Sequence, residues 1–180
     1  MKKICGIFLI MFLVFSLNEK AYAGGDARAR YEKAVRCILL KQDDFALIEF
    51  RSVIREFPKS GYAGKSVFAI AEYCYDHGIY NDAIKNFTEY INNYPASKAV
   101  TFAKAHLLKI IEDIKEPTWE EKRIFEDIKK DFFSKPLFLV FSEYKKTSYK
   151  SDGQNIFKIK YHTDNIEVYR NNQPFLKINQ

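Results

Sequence analysis

Few side chains in this 180-residue sequence stand at spacings that are typical of catalysis. The three histidines, His77, His106 and His162, are predicted on a turn, a helix and a strand, and their spacing does not match that of metal ligands. The sequence contains no glycine-rich phosphate loop and no nucleophile elbow. We therefore predict a protein that is not an enzyme and that needs no cofactor and no metal.

Two pairs of adjacent acidic residues could in principle act as acid and base. These pairs are Asp43-Asp44 and Glu120-Glu121, and each stands at the predicted start of a helix. Carboxylates at that position stabilise the helix dipole. We interpret both pairs as structural.

Two of the three cysteines, Cys37 and Cys74, are 37 positions apart. Export to an oxidising compartment would permit a disulfide between them. Equivalent positions on neighbouring parallel helices, however, are roughly 8 to 10 Å apart, which exceeds the ~7 Å that a disulfide tolerates. We expect two buried free thiols, and the bridge stays open as the alternative.

The same distance of 37 positions separates other residues, which indicates an internal repeat. A small residue, an aromatic residue and a proline recur at this distance: Ala46, Phe50 and Pro58 in the first copy, and Ala83, Phe87 and Pro95 in the second. Apolar residues at spacings of three and four predict a helix on each side of His77-Gly78. Asn81 or Asp82 is predicted to cap the second of these helices. Each copy is therefore predicted to be a pair of antiparallel helices.

These residues resemble the pattern of the tetratricopeptide repeat (TPR) family, over roughly residues 27 to 112. In the second copy the matching residues are Ile70, Ala71, Gly78, Ile79, Tyr80, Ala83, Phe87 and Pro95, whereas Cys74 replaces the tyrosine of the family. The first copy keeps Ala34, Ala46, Phe50 and Pro58. Three of its residues depart from the family's pattern, namely Lys33, Lys41 and Asp43. The long linker after each proline is similar to that in TPR proteins of bacterial cell envelopes, such as the outer-membrane-protein assembly lipoproteins and the Tol-Pal coordinators. The chain has neither the lipobox of the former nor the N-terminal coiled coil of the latter.

The resemblance implies a curved stack whose first helices line a concave groove for a peptide or partner segment. The implied groove positions are Arg28, Tyr31, Val35 and Ile38 in the first repeat, and Lys65, Phe68, Glu72 and Tyr75 in the second. An alternative remains for Tyr31 and Phe68. They could instead pack against a neighbouring helix or against the C-terminal segment.

The N-terminal segment is typical of a secretory signal. Lys2 and Lys3 precede an apolar run from Ile4 to Leu17, and Ala21-Tyr22-Ala23 fits a small-x-small cleavage site. The run is short of the ~20 residues that span a bilayer. We predict a signal peptide over residues 1–23, cleavage after Ala23, no transmembrane helix in the mature chain, and a periplasmic or secreted protein.

The remaining chain is predicted to contain helical repeats over residues 24–134 and a β-rich tail over residues 135–180. An apolar stripe predicts a third helix pair: Ala103, Leu107, Ile110, Ile111 and Ile114. Thr118 with Glu121 forms a capping box before the second helix of this pair. Alternating sequences after residue 136 predict three or four antiparallel strands within residues 137–179. The predicted fold is therefore mainly α: a TPR-like α-solenoid of about three antiparallel helix pairs, followed by a small antiparallel β-sheet.

Charge distinguishes these two regions. Residues 24–134 carry 18 basic and 18 acidic side chains, whereas residues 135–180 carry eight basic and four acidic ones. The resemblance to the TPR family implies a protein or peptide partner in the helical groove. We expect no nucleic-acid partner, because most aromatic residues fall on core stripes and an exported protein rarely meets nucleic acid. Peripheral contact of the basic tail with anionic lipid or envelope polymer is the alternative function. A solvated, lysine-rich strand face is the simpler interpretation of the tail.

Overall fold

The computed structural model describes residues 26–114, 116–133, 147–150, 155–162 and 164–179. In these residues six helices are packed in consecutive pairs and are followed by an antiparallel C-terminal sheet, so that the fold is mainly α. The predicted fold class is confirmed. The predicted signal peptide and the strand predicted immediately after residue 136 lie outside the described residues.

The helices and strands have the following bounds. The helices are α1 (residues 26–39), α2 (Asp43–Glu56), α3 (Gly61–Asp76), α4 (Tyr80–Asn93), α5 (Val100–Asp113) and α6 (Trp119–Phe133). The strands are β1 (Thr147–Lys150), β2 (Ile156–Tyr161), β3 (Asn165–Arg170) and β4 (Gln173–Asn179).

The chain divides into two compact units, residues 1–66 and residues 67–180, and the division falls inside α3. The first unit contains α1, α2 and the first turns of α3. The ring of Tyr31 on α1 lies 5.5 Å from that of Phe50 on α2 and 5.3 Å from that of Tyr62 on α3. Small residues at Ala34 and Ala46 are buried, as expected where two helices approach closely.

The turn inside each helix pair has the same backbone geometry in both copies. Lys41 has φ +58° and Gly78 has φ +70°, and the amides of Gln42 and Ile79 each donate to the carbonyl of the cysteine five positions earlier, both at 2.8 Å. This arrangement is the left-handed helix stop that glycine favours. Lysine adopts it in the first copy at a steric cost. The turn therefore belongs to the repeat and does not depend on the glycine.

One of the predicted helix caps is present in the structure and another is not. The amide of Thr118 donates to Glu121 Oε2 at 2.7 Å, and the amide of Glu121 donates to Thr118 Oγ1 at 3.2 Å. The predicted capping box is confirmed. The cap predicted at Asn81 or Asp82 is wrong, because α4 begins at Tyr80 with Ile79 as its N-cap residue and Asp82 lies within the first turn.

The second unit contains the rest of α3, helices α4 to α6 and the sheet. Four residues of the predicted apolar stripe are buried on α5, namely Ala103, Leu107, Ile110 and Ile111. The fifth, Ile114, is half-buried and follows the end of the helix. The four strands are antiparallel in the order β1-β2-β3-β4. Arg170 pairs with Gln173 across a two-residue turn, Asn171-Asn172, whose residues have φ 54° and 64°. Asparagine tolerates such angles, so this pair supplies the turn of the hairpin.

The two cysteines are free thiols. Cys74 is buried and Cys37 is half-buried. The disulfide left open by the sequence is not formed. The expectation that both thiols are buried is wrong for Cys37.

Candidate functional site

The inner face of the sheet packs against α3 and α5 within the second unit. Phe157 on β2 is fully buried, and its ring lies 6.4 Å from that of Phe68 on α3 and 5.3 Å from that of Phe102 on α5. Phe175 on β4 lies 5.8 Å from Tyr75 on α3. Phe68 and Tyr75, two of the four groove positions predicted in the second repeat, therefore contact the chain's own sheet.

These rings form a continuous group that we call the aromatic cluster. Its members are Phe68, Phe87, Phe102, His106, Phe157 and Phe175. Most neighbouring rings meet edge to face, for example Phe68 with Phe87 at 5.7 Å and 74°. Such contacts stabilise a core beyond the area that they bury. The cluster joins α3, α4, α5 and the sheet.

His106 lies at the centre of the aromatic cluster and is fully buried. Its ring stacks on Phe87 at 4.6 Å, and Nδ1 lies 2.8 Å from the carbonyl oxygen of Phe102. Because that carbonyl can only accept, Nδ1 carries the hydrogen. Among the described residues Nε2 has no partner. Burial lowers the pKa of His106 to about 3, with a smaller contribution from the positive charge of Arg170, so the ring is neutral.

The charged side chain of Arg170 lies beside the aromatic cluster. Arg170 on β3 donates to both carboxylate oxygens of Asp76 on α3, at 2.5 and 2.6 Å. Arg170 also lies 4.0 Å from Glu72, a buried carboxylate that accepts a hydrogen bond from Asn155 at 3.1 Å. Burial opposes the charged form of Arg170, but the carboxylate of Asp76 outweighs burial and raises the pKa of Arg170. A bidentate ion pair of this kind fixes the orientation of the sheet against α3.

The predicted groove is therefore closed at the second repeat. Phe68 is 1% exposed, and Glu72 and Tyr75 are held by the contacts with the sheet. The expectation that the Phe68 and Tyr75 rings face a bound partner is wrong in this structure. The physical reason is that the sheet buries the apolar face of α3, which is the alternative that the sequence left open for Phe68.

The first-repeat positions are arranged differently. Tyr31 is buried against Phe50, so it also follows the alternative interpretation. Arg28 is exposed and pairs with Glu32 at 2.7 Å, while Val35 and Ile38 are half-buried. Lys65, the remaining position of the second repeat, is exposed, and its Nζ lies 5.7 Å from the Tyr31 ring centre and 5.4 Å from that of Tyr62. Four of the eight predicted positions are therefore accessible: Arg28, Val35, Ile38 and Lys65.

The outer face of the sheet carries part of the basic charge of the tail. Lys158 and Lys160 on β2 and Lys177 on β4 are exposed, and alternate residues of these strands are buried. Glu167 on β3 lies between Lys160 and Lys177 in the register. A hydrogen bond from the Tyr169 hydroxyl lowers the pKa of Glu167, so one negative charge remains among the lysines.

Two features of the second unit were missed in the sequence. His106 falls three positions after Ala103 and four before Ile110, so its place on the apolar stripe of α5 could have indicated its burial. The pair Arg170 and Asp76 gives no such signal, because the two residues are 94 positions apart.

Among the residues that the structure describes, no group of three or more histidine, cysteine or acidic side chains could hold a metal ion. None of the helices in that part of the chain has the length and apolarity needed to cross a membrane.

Comparison with family models, with curated proteins and with solved structures gives no match. The likeness to the TPR family therefore depends on the residues of the repeat alone.

Proposed function

We propose that the protein is an exported, non-enzymatic scaffold that binds a segment of a partner protein in the bacterial cell envelope through its first helix pair. The observation that supports this proposal is the packing of six helices in consecutive pairs. Proteins built from such pairs use the first helix of each pair to present an extended binding surface. The N-terminal residues that are typical of a secretory signal support the location.

The accessible positions of the first repeat suggest the chemistry of the bound segment. Val35 and Ile38 lie three positions apart on α1, so they share one side of that helix. Arg28 and Lys65 add exposed positive charge to the first unit. We infer that the bound segment has an apolar residue that contacts Val35 and Ile38. We also infer that it has a carboxylate that interacts with Arg28 and Lys65.

Reversing the basic charges tests this scaffold function. We expect Arg28→Glu with Lys65→Glu to lower capture of a partner from envelope extract by at least about tenfold, because two attractive contacts become repulsive. Capture by the whole purified protein is measured by quantitative mass spectrometry. The matched control is Arg51→Glu with Lys85→Glu, which reverses two other exposed charges. Equal capture by wild type, variant and control, or no specific partner at all, would reject the scaffold function.

A second candidate function is supported by the outer face of the sheet. Its exposed lysines, Lys158, Lys160 and Lys177, would attract an anionic membrane surface, at about 1 kcal/mol for each lysine near the headgroups. Deleting residues 135–180 is a poor test of this function, because the deletion removes Phe157 and Phe175 from the aromatic cluster. Charge reversal on the outer face leaves that cluster in place.

We expect Lys158→Glu, Lys160→Glu and Lys177→Glu together to abolish co-sedimentation with vesicles that contain anionic lipid, if the tail is a membrane-binding surface. Vesicles of neutral lipid are the control, and raised salt should weaken binding of the wild type. Wild-type protein that stays in the supernatant with anionic vesicles at low salt would exclude this second function. It would leave the scaffold function intact.

A further inference from the structure

Four large apolar side chains of the first helix pair are exposed to solvent. They are Leu39 at the end of α1, Leu40 in the turn that follows, and Phe45 and Ile48 in the first turns of α2, and between 57% and 67% of each residue is exposed. Phe45 and Ile48 lie three positions apart and share one side of α2. We call these four residues the apolar patch. Clustered exposed apolar residues mark interaction surfaces more often than isolated ones do.

The second repeat shows that the helix pair does not require this patch. The residues 37 positions later are all polar and exposed: Asp76, His77, Asp82 and Lys85. The backbone turns of the two copies have the same hydrogen bonds, with Gln42 and Ile79 as donors at 2.8 Å. Packing within a helix pair therefore does not explain why the first copy has leucine, phenylalanine and isoleucine at these positions.

The charges beside the apolar patch indicate its occupant. Lys41 lies in the turn next to Leu40, and Asp44 lies next to Phe45, and both are exposed. A surface with opposite charges on two sides of an apolar centre can pair with a copy of itself that is rotated by 180°. An anionic membrane would attract Lys41 but repel Asp44. A twofold contact instead places Lys41 of each copy opposite Asp44 of the other.

We propose that the apolar patch is a self-association surface on which two copies of this chain meet about a twofold axis. The patch is smaller than the roughly 800 Å² that each partner contributes to a standard interface. The association is therefore weak and depends on concentration. The patch shares no residue with the accessible groove positions, and the two proposals are tested by different measurements, self-association and capture of a partner.

Sedimentation velocity of the purified protein over a wide concentration range tests this proposal. We expect a concentration-dependent dimer in the wild type, and at least about a tenfold weaker association for Phe45→Asp with Ile48→Lys. These are the residues that the second repeat has at the equivalent positions, so they suit the same backbone. Ile79→Lys removes an exposed apolar side chain outside the patch and should leave the association unchanged.

A charge swap tests the twofold geometry. Lys41→Asp alone and Asp44→Lys alone should each weaken the dimer, because like charges then face each other, and the two changes together should restore it. Aspartate tolerates the left-handed backbone of residue 41. A wild type that stays monomeric at every concentration, a dimer that survives the Phe45 and Ile48 changes, or a charge swap that restores nothing would each overturn the proposal. It would also be overturned if the patch variant lost binding to lipid vesicles while the wild type stayed monomeric.

Discussion

Replacing Phe68 with alanine is expected to lower the free energy of unfolding by about 3 to 5 kcal/mol, as a large truncation in a packed core does. Phe68 is 1% exposed, and its ring contacts those of Phe87, Tyr90 and Phe157. The substitution removes apolar area and leaves a cavity where α3, α4 and the sheet meet. Urea denaturation followed by circular dichroism measures the change.

Phe45→Ala is the matched control for this prediction. It is the same substitution at a ring that is 63% exposed, and surface changes of this kind usually alter stability by less than about 0.5 kcal/mol. The comparison is made in dilute solution, so that any self-association does not contribute. A loss of stability at Phe68 as small as that at Phe45 would contradict the packing of the sheet on α3. It would restore Phe68 as a candidate groove residue.

The helical part of the fold could be predicted because its pattern is local. Each helix pair buries a stripe of residues three and four positions apart, and the 37-residue repeat shows which turns separate the helices. The Thr118–Glu121 capping box is equally local, and the structure confirms it. The first turn of α4 is the exception. Asn81 and Asp82 are good capping residues, but the chain enters the helix earlier, at Tyr80.

The candidate site could be predicted only in part because its contacts are not local. The pattern placed Phe68, Glu72 and Tyr75 on one face of α3, and the structure keeps them together on the side that meets the sheet. What covers that face could not be read from the sequence. The covering residues come from β2, β3 and β4, and Arg170 pairs with Asp76 across 94 positions.

The sheet therefore has a structural role besides any role in binding. Phe157 and Phe175 complete the aromatic cluster, and Arg170 and Asn155 satisfy the carboxylates of Asp76 and Glu72. A buried carboxylate without such partners would be costly. The excess of basic residues in the tail consequently includes one side chain, Arg170, that serves the interior of the second unit. The exposed lysines of the outer face remain for solvent or for an anionic surface.

The stability of the second unit is expected to fall as the pH is lowered from about 6.5 towards 3, because of His106. Burial lowers its pKa to about 3 in the folded protein, whereas the ordinary value in an unfolded chain is about 6.5. Between these values the unfolded chain binds a proton and the folded protein does not. Above about pH 6.5 His106 is neutral in both states, so its titration does not lower the free energy of unfolding. Below that value the free energy of unfolding decreases by about 1.4 kcal/mol for each pH unit.

Thermal or urea unfolding at a series of pH values measures this effect by comparing the wild type with His106→Leu. The expected difference in the loss of stability between pH 7 and pH 4.5 is about 2 to 3 kcal/mol. Leucine cannot titrate, so the pH dependence of the variant should be flatter even where the lost stacking on Phe87 makes it less stable overall. If His106→Leu and the wild type lost stability in parallel between these pH values, His106 would have to be protonated inside the folded protein. The closed aromatic cluster on which the core of the second unit depends could then not be present in solution.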